Sequence, residues 1–400
     1  MFRGKRSFAI LLVSVMILSL AVSGCSIGAK KEIKIGVVTS VTGALAGYAD
    51  QEIKGLKLGI AYATNGTNKV LGRDIKLVIE DDTGDPAVGK QKATKLLEQD
   101  KVDILQGTAA TPVALQVAEV AKQYQVIFMV DPAAGDQLTT TNFNKYIFRT
   151  GCNTSQDALT GGAGAASLGK TFVHLAPDNA FGASSQAAWD AVFKAFGATL
   201  LKDVKVPLEA KDFAVYIQQV IQLKPDFLMI TWSGASALKL FQQLNELGVY
   251  QKMKVTTGVG DRAGLMGLGE GAVGVKGMVK YFHTLPKNKV NDYLVAEHKK
   301  LYNGDPPDLF TAGGMAAGIA IVKGIEKAGS TKADKMIPAL EGMSFDGPKG
   351  TYTFRKEDHQ ALQPMYFVEI VKDPAFTYPI PKLIKEYSAT ETAPPVNVPK

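Results

Sequence analysis

The chain is organised around the stretch KIGVVTSVTGALAG at residues 34–47. Its apolar, β-branched start at Ile35, Val37 and Val38 predicts a strand that is buried on both faces. A loop of Ser, Thr and Gly follows, and GLKLGIAYA at residues 55–63 then reads as a helix. Backbone N–H groups freed in such a loop and at the first helical turn can bind a carboxylate. On these residues alone, an anion-binding loop and a plain strand-to-helix connection are both open.

The length and composition of the chain favour a globular protein of two domains. Its 400 residues exceed one ordinary core, and the hydrophobic and charged fractions of 46% and 21% exclude the disordered and multi-span membrane classes. The formal net charge of +7 drops by three, to +4, when the N-terminal leader is removed. This balance indicates no polyanionic partner, so no nucleic acid is expected.

Residues 1–24 are predicted to form a signal peptide. Three basic residues precede the apolar run FAILLVSVMILSL, which is short for a membrane span, and small residues then lead to Cys25. The ending VSGC closely resembles the bacterial lipobox, in which the cysteine is lipidated and becomes the first mature residue. The sequence thus predicts a lipid anchor at Cys25, a tether over residues 25–32 and an extracytoplasmic location on the cell membrane.

Strand and helix patterns alternate along the mature chain. A first run ends with YIFR at residues 146–149, and a second begins with a helix followed by TFVHL at residues 171–175. Such alternation is the signature of parallel sheets covered by helices, and its repetition indicates two similar α/β lobes. Strands near residues 277–282 and 352–355 have no obvious helical partner nearby and are candidate crossovers between the lobes.

The sequence contains no pattern typical of a catalytic or metal site. The four histidines are far apart, and there is no GxSxG nucleophile elbow. The acidic run EDDTGDP at residues 80–86 could suggest a metal, but Asp85 followed by Pro86 is typical of a helix N-cap. We therefore expect no enzyme, no metal and no cofactor.

The segment VIEDDTGDPAVGKQKATKLLEQDKVDILQG at residues 78–107, together with IGVVTSVTGALAG, carries a family resemblance. It closely resembles the type I periplasmic-binding-protein family and, within it, the Leu/Ile/Val-type substrate-binding components of ABC transporters. The resemblance implies an α/β fold of two Rossmann-like lobes with parallel sheets, joined by three crossovers, with ligand held between the lobes. The implied division is residues 33–149 plus 281–350 for lobe 1, residues 150–280 plus 351–387 for lobe 2, and residues 388–400 as a flexible tail.

The resemblance also implies a carboxylate site formed by three loops of the first lobe. All three loops follow strands, so their hydroxyl and N–H groups can converge at one edge of the sheet. Relatives commonly have serines in the second loop where this chain has Ala109 and Ala110, so Thr108 or Thr111 is the expected hydroxyl donor. The loop residues expected to contact ligand are Ser40, Thr42, Gly43, Ala44, Leu45, Thr108, Ala109, Ala110, Thr111, Ala133, Ala134 and Gly135.

The opposite wall is expected to come from Phe181, Trp232 and Asp261 of the second lobe. Asp261 stands where amino-acid-binding relatives place an acidic residue, which would bind an ammonium group beside aromatic faces. Packing in the core or at the rim stays open for the two aromatic residues, and a solvated turn stays open for Asp261. Arg262 either faces the cleft and binds a second carboxylate or neutralises Asp261 and points away.

Together these features predict a lipid-anchored solute-binding protein. It would catch a small carboxylate, expected to be a branched-chain or other apolar or aromatic amino acid, and deliver it to ABC permease subunits. The segment TNFNKYIFRT at residues 141–150 is reminiscent of relatives that take up aromatic carboxylates, so a ligand without an ammonium group is an alternative. A ligand-sensing module without transport is another.

Overall fold

The computed structural model describes residues 32–162, 164 and 167–399. The predicted signal peptide, Cys25 and all but the last residue of the predicted tether lie outside the described residues, so the lipid anchor stays a prediction. Within the described residues, no helix combines the length and apolarity needed to span a membrane.

The first lobe alternates strands and helices around one sheet. In chain order the elements of its first part are β1 (Glu32–Thr39), α1 (Ala46–Ala63), β2 (Lys69–Val70), β3 (Arg73–Asp81), α2 (Pro86–Glu98), β4 (Ile104–Gly107), α3 (Thr111–Tyr124), β5 (Phe128–Val130) and β6 (Ile147–Arg149). They form a six-stranded sheet in the order β2-β3-β1-β4-β5-β6, which is parallel except for the edge pair β2 and β3. Ile35, Val37 and Val38 of β1 are fully buried, as a strand covered on both faces requires.

Asp85 caps α2 as the sequence predicts. Its carboxylate accepts hydrogen bonds from the N–H groups of Ala87 and Val88, and Pro86 occupies the first helical position, where no N–H partner is needed. Asp85 therefore serves as a helix cap at the end of the acidic run.

The second lobe repeats the same alternation. Its elements are α4 (Thr154–Gly162), β7 (Thr171–Pro177), α5 (Ala180–Ala195), β8 (Thr199–Val206), α6 (Ala214–Leu223), β9 (Phe227–Ile230), α7 (Ala237–Glu246), α8 (Val249–Lys252), β10 (Lys254–Val259), α9 (Arg262–Leu268) and β11 (Lys276–Val279). Strands β7 to β11 pair in parallel. The two lobes are thus similar units, in agreement with the repeat read from the sequence.

After β11 the chain returns to the first lobe and then crosses once more. The returning elements are α10 (Lys289–Leu301), α11 (Thr311–Ala328), α12 (Ala333–Leu340), β12 (Ser344–Gly347), β13 (Gly350–Phe354) and β14 (Ala361–Leu362), and the last two strands are β15 (Met365–Val371) and β16 (Ile380–Tyr387). Strands β15 and β16 extend the second sheet in antiparallel fashion, giving the order β16-β15-β11-β10-β9-β7-β8. In the described part of the chain the lobes are therefore joined by three crossovers, after β6, β11 and β14.

One boundary of the predicted division differs in the structure. Residues 351–362, assigned to lobe 2 from the sequence, instead pack with lobe 1, because Tyr352, Phe354 and Ala361 enter the same hydrophobic core as β1. In the predicted flexible tail, the carbonyl of Pro394 accepts a hydrogen bond of 2.6 Å from the Arg355 guanidinium. The flexibility of the tail stays a prediction.

Helices α1 and α11 pack through glycines with their backbones in contact. A Cβ atom at Gly55 would lie 2.0 Å from the carbonyl oxygen of Thr311, and one at Gly59 would lie 2.2 Å from that of Met315. These distances leave no room for even a methyl group. The contact fixes α1, and with it the loop that leads out of β1, against the rest of the first lobe.

Candidate functional site

A cavity of about 840 Å³, counted with its open mouth, lies between the two lobes. Tyr48 and Phe310 line the cavity with their ring centroids 4.5 Å apart, and Phe181 and Trp232 line it from the second lobe. Phe213 supports Trp232 from behind in an edge-on contact at 5.0 Å. The walls therefore suit a solute with a flat or apolar body.

The N-terminus of α3 forms one wall of this cavity. Ala109, Ala110, Thr111 and Pro112 line it, and the N-cap residue Ala110 provides no side-chain hydrogen bond to the first turn. The Thr111 hydroxyl accepts a hydrogen bond of 3.1 Å from the N–H of Gly135, which leaves its own proton free to be donated. An uncapped helix N-terminus carries partial positive charge, so this wall can bind an anionic group.

A buried ion pair forms a second polar wall. The Lys280 ammonium lies 3.0 Å from the Asp157 carboxylate, and both residues line the cavity. Burial raises the pKa of Asp157, with partial compensation from Lys280. Burial by itself would lower the pKa of Lys280, but the interactions with Asp157, Cys152 and Asp131 together outweigh it and raise that pKa overall. The ammonium of Lys280 and the carboxyl group of Asp157 thus lie within hydrogen-bond distance of each other.

Backbone groups of the two lobes meet at the rim of the cavity. The N–H of Gly234 donates to the Tyr48 hydroxyl at 3.0 Å, and the N–H of Ala235 donates to the carbonyl of Ala44 at 2.8 Å. A Cβ atom at Gly234 would lie 2.7 Å from that same carbonyl oxygen. The structure is therefore in a closed arrangement, in which a solute in the cavity contacts both lobes.

The comparisons with known proteins agree with this architecture. A family model described as periplasmic binding protein matches residues 32–375. The chain belongs to the periplasmic-binding-protein family. It is 28% identical over 359 residues to the Leu/Ile/Val-binding protein homolog 6 of Brucella melitensis, covering 86% of this chain and 89% of the relative. The predicted family membership and fold class are confirmed.

Solved structures of other periplasmic binding proteins superpose over most of the chain. An ABC-type branched-chain amino acid transporter protein of Rhodopseudomonas palustris is 36% identical with a TM-score of 0.78, covering 92% of this chain and all of that one. A solute binding protein of another Rhodopseudomonas palustris strain, solved with 3,4-dihydroxybenzoic acid, is 27% identical with a TM-score of 0.82, covering 90% of this chain and 98% of that one. The name of the first relative thus indicates branched-chain amino acids, and the second was solved with an aromatic acid.

In this periplasmic binding protein, about half of the residues predicted to contact ligand line the cavity. Those that do are Leu45, Ala109, Ala110, Thr111, Ala134, Phe181 and Trp232. Those that do not are Ser40, Thr42, Gly43, Ala44, Thr108, Ala133, Gly135 and Asp261. For the residues of both groups, contact with a ligand stays a prediction.

The hydroxyl groups of the first predicted loop are occupied within the protein. The Ser40 hydroxyl donates to Asp82 Oδ1 and the Thr42 hydroxyl donates to Asp81 Oδ2, both at 2.6 Å. The Thr108 hydroxyl likewise donates to the carbonyl of Ala110 at 2.9 Å. The strand-end aspartates thus order the loop after β1, and Leu45 is the predicted residue of that loop that reaches the cavity.

Asp261 caps a helix and does not line the cavity. Its carboxylate accepts a hydrogen bond of 3.0 Å from the N–H of Gly264 in the first turn of α9. Burial and the nearby Asp308 raise the pKa of Asp261 to about 6. Arg262 points away, since its guanidinium lies 3.0 Å from the Asp305 carboxylate and also donates to the carbonyl of Pro306. A contact of Asp261 with an ammonium ligand therefore has no support in this arrangement.

Sequence reasoning did not find Tyr48, Asp157, Lys280 or Phe310 as cavity residues. Asp157 and Lys280 flank two of the crossovers, which bring residues distant in sequence to the same point between the lobes. The sequence did contain one signal for this pair, which is the lysine directly after the buried strand β11. An ammonium group that is buried at the end of such a strand needs a partner of opposite charge.

A second buried carboxylate lies behind the cavity. Asp131 is 1% exposed, and burial raises its pKa to about 8, partly offset by the charges of Lys280 and Lys349. An unfolded aspartate titrates near pH 3.8. Between these pH values the folded protein holds a proton that the unfolded chain releases, so the stability that depends on this group falls as the pH rises.

Replacing Asp131 with a residue that does not titrate should flatten the pH dependence of the protein's stability. We expect the Asp131→Asn variant to gain roughly 5 kcal/mol of free energy of unfolding relative to the parent as the pH rises from 4 to 8, because each pH unit between the two pKa values contributes about 1.4 kcal/mol. Urea unfolding of both proteins across this range measures the difference, and Asp50→Asn on the exposed face of α1 is the control. If the difference in free energy of unfolding between the variant and the parent is the same at pH 4 and pH 8, the pKa of Asp131 is not raised by folding.

Proposed function

We propose that this periplasmic binding protein is the extracytoplasmic solute-binding component of an ABC importer. It catches a small carboxylate-bearing solute with an apolar or aromatic body between its lobes and delivers it to the permease. The observation that supports this function best is the uncapped N-terminus of α3 on one wall of an inter-lobe cavity whose other walls carry aromatic rings. Because a solute there contacts both lobes in the closed arrangement alone, binding favours closure.

We further propose an aromatic or apolar carboxylic acid without an ammonium group as the solute. Among the described residues that line the cavity, the one carboxylate is Asp157, and it already faces the Lys280 ammonium at 3.0 Å. A ligand ammonium beside that lysine would meet like charge in a poorly solvated site, which is costly. The name of the relative solved with 3,4-dihydroxybenzoic acid supports the same class.

An apolar amino acid is the second candidate. The names of the Leu/Ile/Val-binding relative and of the branched-chain amino acid transporter protein favour it. For this candidate to hold, Asp157 must bind the ammonium while Lys280 turns aside.

Thermal-shift screening separates the two candidates. The purified mature protein is scanned with benzoate, hydroxybenzoates, leucine, isoleucine, valine and phenylalanine, with benzamide and benzyl alcohol as controls that lack the carboxylate. We expect the aromatic acids to raise Tm in proportion to the logarithm of their concentration, as ligands of the folded state do, and the controls to have no effect. A shift with the amino acids alone would establish the second candidate, and a shift with none of these compounds would exclude both.

A transport protein leaves its bound solute chemically unchanged, whereas an enzyme converts it. A delivery protein releases its ligand chemically unchanged, so mass spectrometry of ligand recovered after long incubation should return the compound that was added. A turned-over product would instead indicate an enzyme.

The lipid anchor is a separate prediction about residues outside the described part of the chain. We expect radiolabelled palmitate to be incorporated into the parent protein and to be lost from the Cys25→Ala variant, because the thiol of Cys25 is the acceptor in the lipobox reading. Cys152→Ala, which removes the buried second cysteine, is the control and should still be labelled. Equal labelling of the Cys25→Ala variant would contradict the anchor.

A further inference from the structure

A chain of four polar side chains runs from the edge of the second sheet to the cavity. The Asp203 carboxylate on the edge strand β8 lies 2.8 Å from His174 Nδ1, and His174 Nε2 lies 3.0 Å from the Thr231 hydroxyl. That hydroxyl lies 2.7 Å from the hydroxyl of Ser185 on α5, and both Thr231 and Ser185 line the cavity. The chain thus links the cavity wall to an imidazole ring on β7 that is fully buried.

The hydrogen bonds of this chain can run in two directions. The Asp203 carboxylate only accepts hydrogen bonds, so His174 Nδ1 carries a proton. If the ring is neutral, Nε2 accepts from the Thr231 hydroxyl, which then accepts from Ser185. If the ring is charged, Nε2 donates to Thr231, Thr231 donates to Ser185, and Ser185 keeps its own proton to donate. The charge of the ring therefore sets the direction of the two hydroxyl dipoles at the cavity wall.

The proposed carboxylate position adjoins the end of this chain. Helix α5, which carries Ser185, packs against α3, whose N-terminus is the proposed carboxylate wall. The N–H of Gly135 donates to the Thr111 hydroxyl at the start of α3. The N–H of the next residue, Asp136, donates at 2.8 Å to the hydroxyl of Ser184, which precedes Ser185. A carboxylate there brings negative charge close to the chain, and nearby negative charge favours the charged form of an imidazole.

In the described part of the chain, Asp203 is the charged group in contact with the ring. Strand β9 places Met229 opposite His174, and Lys205 follows two residues after Asp203 on the same face of β8 and is exposed. The inward side chains of α5 beyond Ser185 do not titrate, and they are Ala188, Trp189 and Phe193. The titratable groups elsewhere on the cavity wall are Tyr48, Asp157 and Lys280. A test of proton uptake must therefore separate His174 from these groups.

We propose that the protein takes up a proton at His174 when it binds its carboxylate solute. His174 then acts as a positioning residue, because its charge turns the hydroxyl dipoles of Thr231 and Ser185 toward the anion. The proton comes from the solvent, which reaches the chain at Asp203, whose side chain is 18% exposed, and it adds to Nε2 of the neutral ring. The inference rests on the proposed function, because the negative charge of the solute favours the uptake.

The direction of the pH dependence follows from the proton count. The bound state holds more protons than the free protein, so lowering the pH favours binding. A carboxylic acid stays ionised between pH 6 and pH 8, because its own pKa lies near 4. The affinity should therefore rise as the pH falls from 8 to 6, through a change in the protein and not in the solute.

The first test measures proton uptake by the intact protein. Calorimetric titrations at pH 6, 7 and 8 are repeated in phosphate, HEPES and Tris, whose heats of ionisation differ, with benzoate or the tightest-binding acid of the thermal-shift screen as the probe. The slope of the binding enthalpy against the heat of ionisation of the buffer gives the number of protons taken up. We expect about half a proton or more per solute at one of these pH values, because histidine changes charge in this range. A slope near zero at all three overturns the coupling while the proposed function stands, and no binding by any of the screened acids overturns both.

The second test assigns the proton to His174. The His174→Gln variant keeps a side chain that donates and accepts hydrogen bonds but does not titrate. We expect its slope to fall to near zero and the difference in affinity between pH 6 and pH 8 to disappear. Asp203→Asn, on the partly exposed edge strand, removes the carboxylate that stabilises the charged ring and should lower the slope as well. If both variants keep the slope of the parent, the proton goes to another group such as Asp157, and the inference about His174 is wrong.

The matched control is a buried histidine outside the cavity. His298 of α10 is 5% exposed, and its Nδ1 atom lies 2.8 Å from the carbonyl oxygen of Asp305 in the first lobe. Neither residue lines the cavity. We expect His298→Gln to keep the slope of the parent at all three pH values. Loss of the slope in this variant as well would contradict the assignment of the proton to His174.

Discussion

A single methyl group at Gly59 is expected to destabilise the first lobe. Gly→Ala in a helix normally stabilises a protein by up to about 1 kcal/mol, because glycine loses more backbone entropy on folding. At Gly59 the added Cβ would lie 2.2 Å from the carbonyl oxygen of Met315, so α1 and α11 must move apart. We expect Gly59→Ala to lower the free energy of unfolding by about 3 kcal/mol, measured by urea denaturation.

The matched control is the same substitution earlier in the same helix. Gly47 also belongs to α1, and a Cβ atom there meets nothing within 4 Å. We expect Gly47→Ala to leave stability unchanged or to raise it by up to about 1 kcal/mol. If both variants shift stability in the same direction and by the same amount, the close packing of α1 on α11 is not what constrains Gly59.

An aspartate at position 110 is expected to separate folding stability from ligand binding. Ala110 has an extended backbone (φ −107°, ψ 128°), and its side chain makes no cap to α3. An aspartate there can accept hydrogen bonds from the first-turn N–H groups, which should raise the free energy of unfolding of the ligand-free protein by about 1 kcal/mol. The same carboxylate would compete with the solute for those groups and repel it, so we expect affinity for the best acid to fall by about 100-fold or more.

The neutral variant Ala110→Asn is the control for this prediction. It can cap α3 without adding charge, so it should lose less affinity than Ala110→Asp at a similar gain in stability. Calorimetry gives the affinities and thermal unfolding without ligand gives the stabilities. Parent-like affinity in Ala110→Asp would show that the carboxylate of the solute binds elsewhere.

The fold could be predicted from the sequence because its signals are local. The β-branched run at residues 34–38 becomes the central strand of the first sheet, and the Asp85–Pro86 dipeptide caps the helix that follows the acidic run. The alternation of strands and helices repeats over both lobes. Each of these signals depends on neighbours a few residues away.

The site could be predicted only in part, because it depends on contacts between segments that are distant in sequence. Ser40 and Thr42 have the residue types of a ligand loop, yet their hydroxyl groups donate to Asp82 and Asp81 at the end of the adjacent strand. The pairing of Asp157 with Lys280 joins positions 123 residues apart, one near the start of the second lobe and one directly after β11. No local pattern marks such a pair, whereas Trp232 and Phe181 were found through the family resemblance.

The chain's own tryptophans can report whether a solute binds in the inter-lobe cavity. The sequence contains two, Trp189 and Trp232, and both line the inter-lobe cavity. Fluorescence titrations of the Trp189→Phe and Trp232→Phe variants with the best acid, corrected with a free tryptophan derivative for ligand absorption, read each position separately. A carboxylate solute bound between the lobes should change the emission of both variants along saturable curves that match the affinities from calorimetry. Stoichiometric binding by calorimetry without a change in either tryptophan would contradict a site in this cavity.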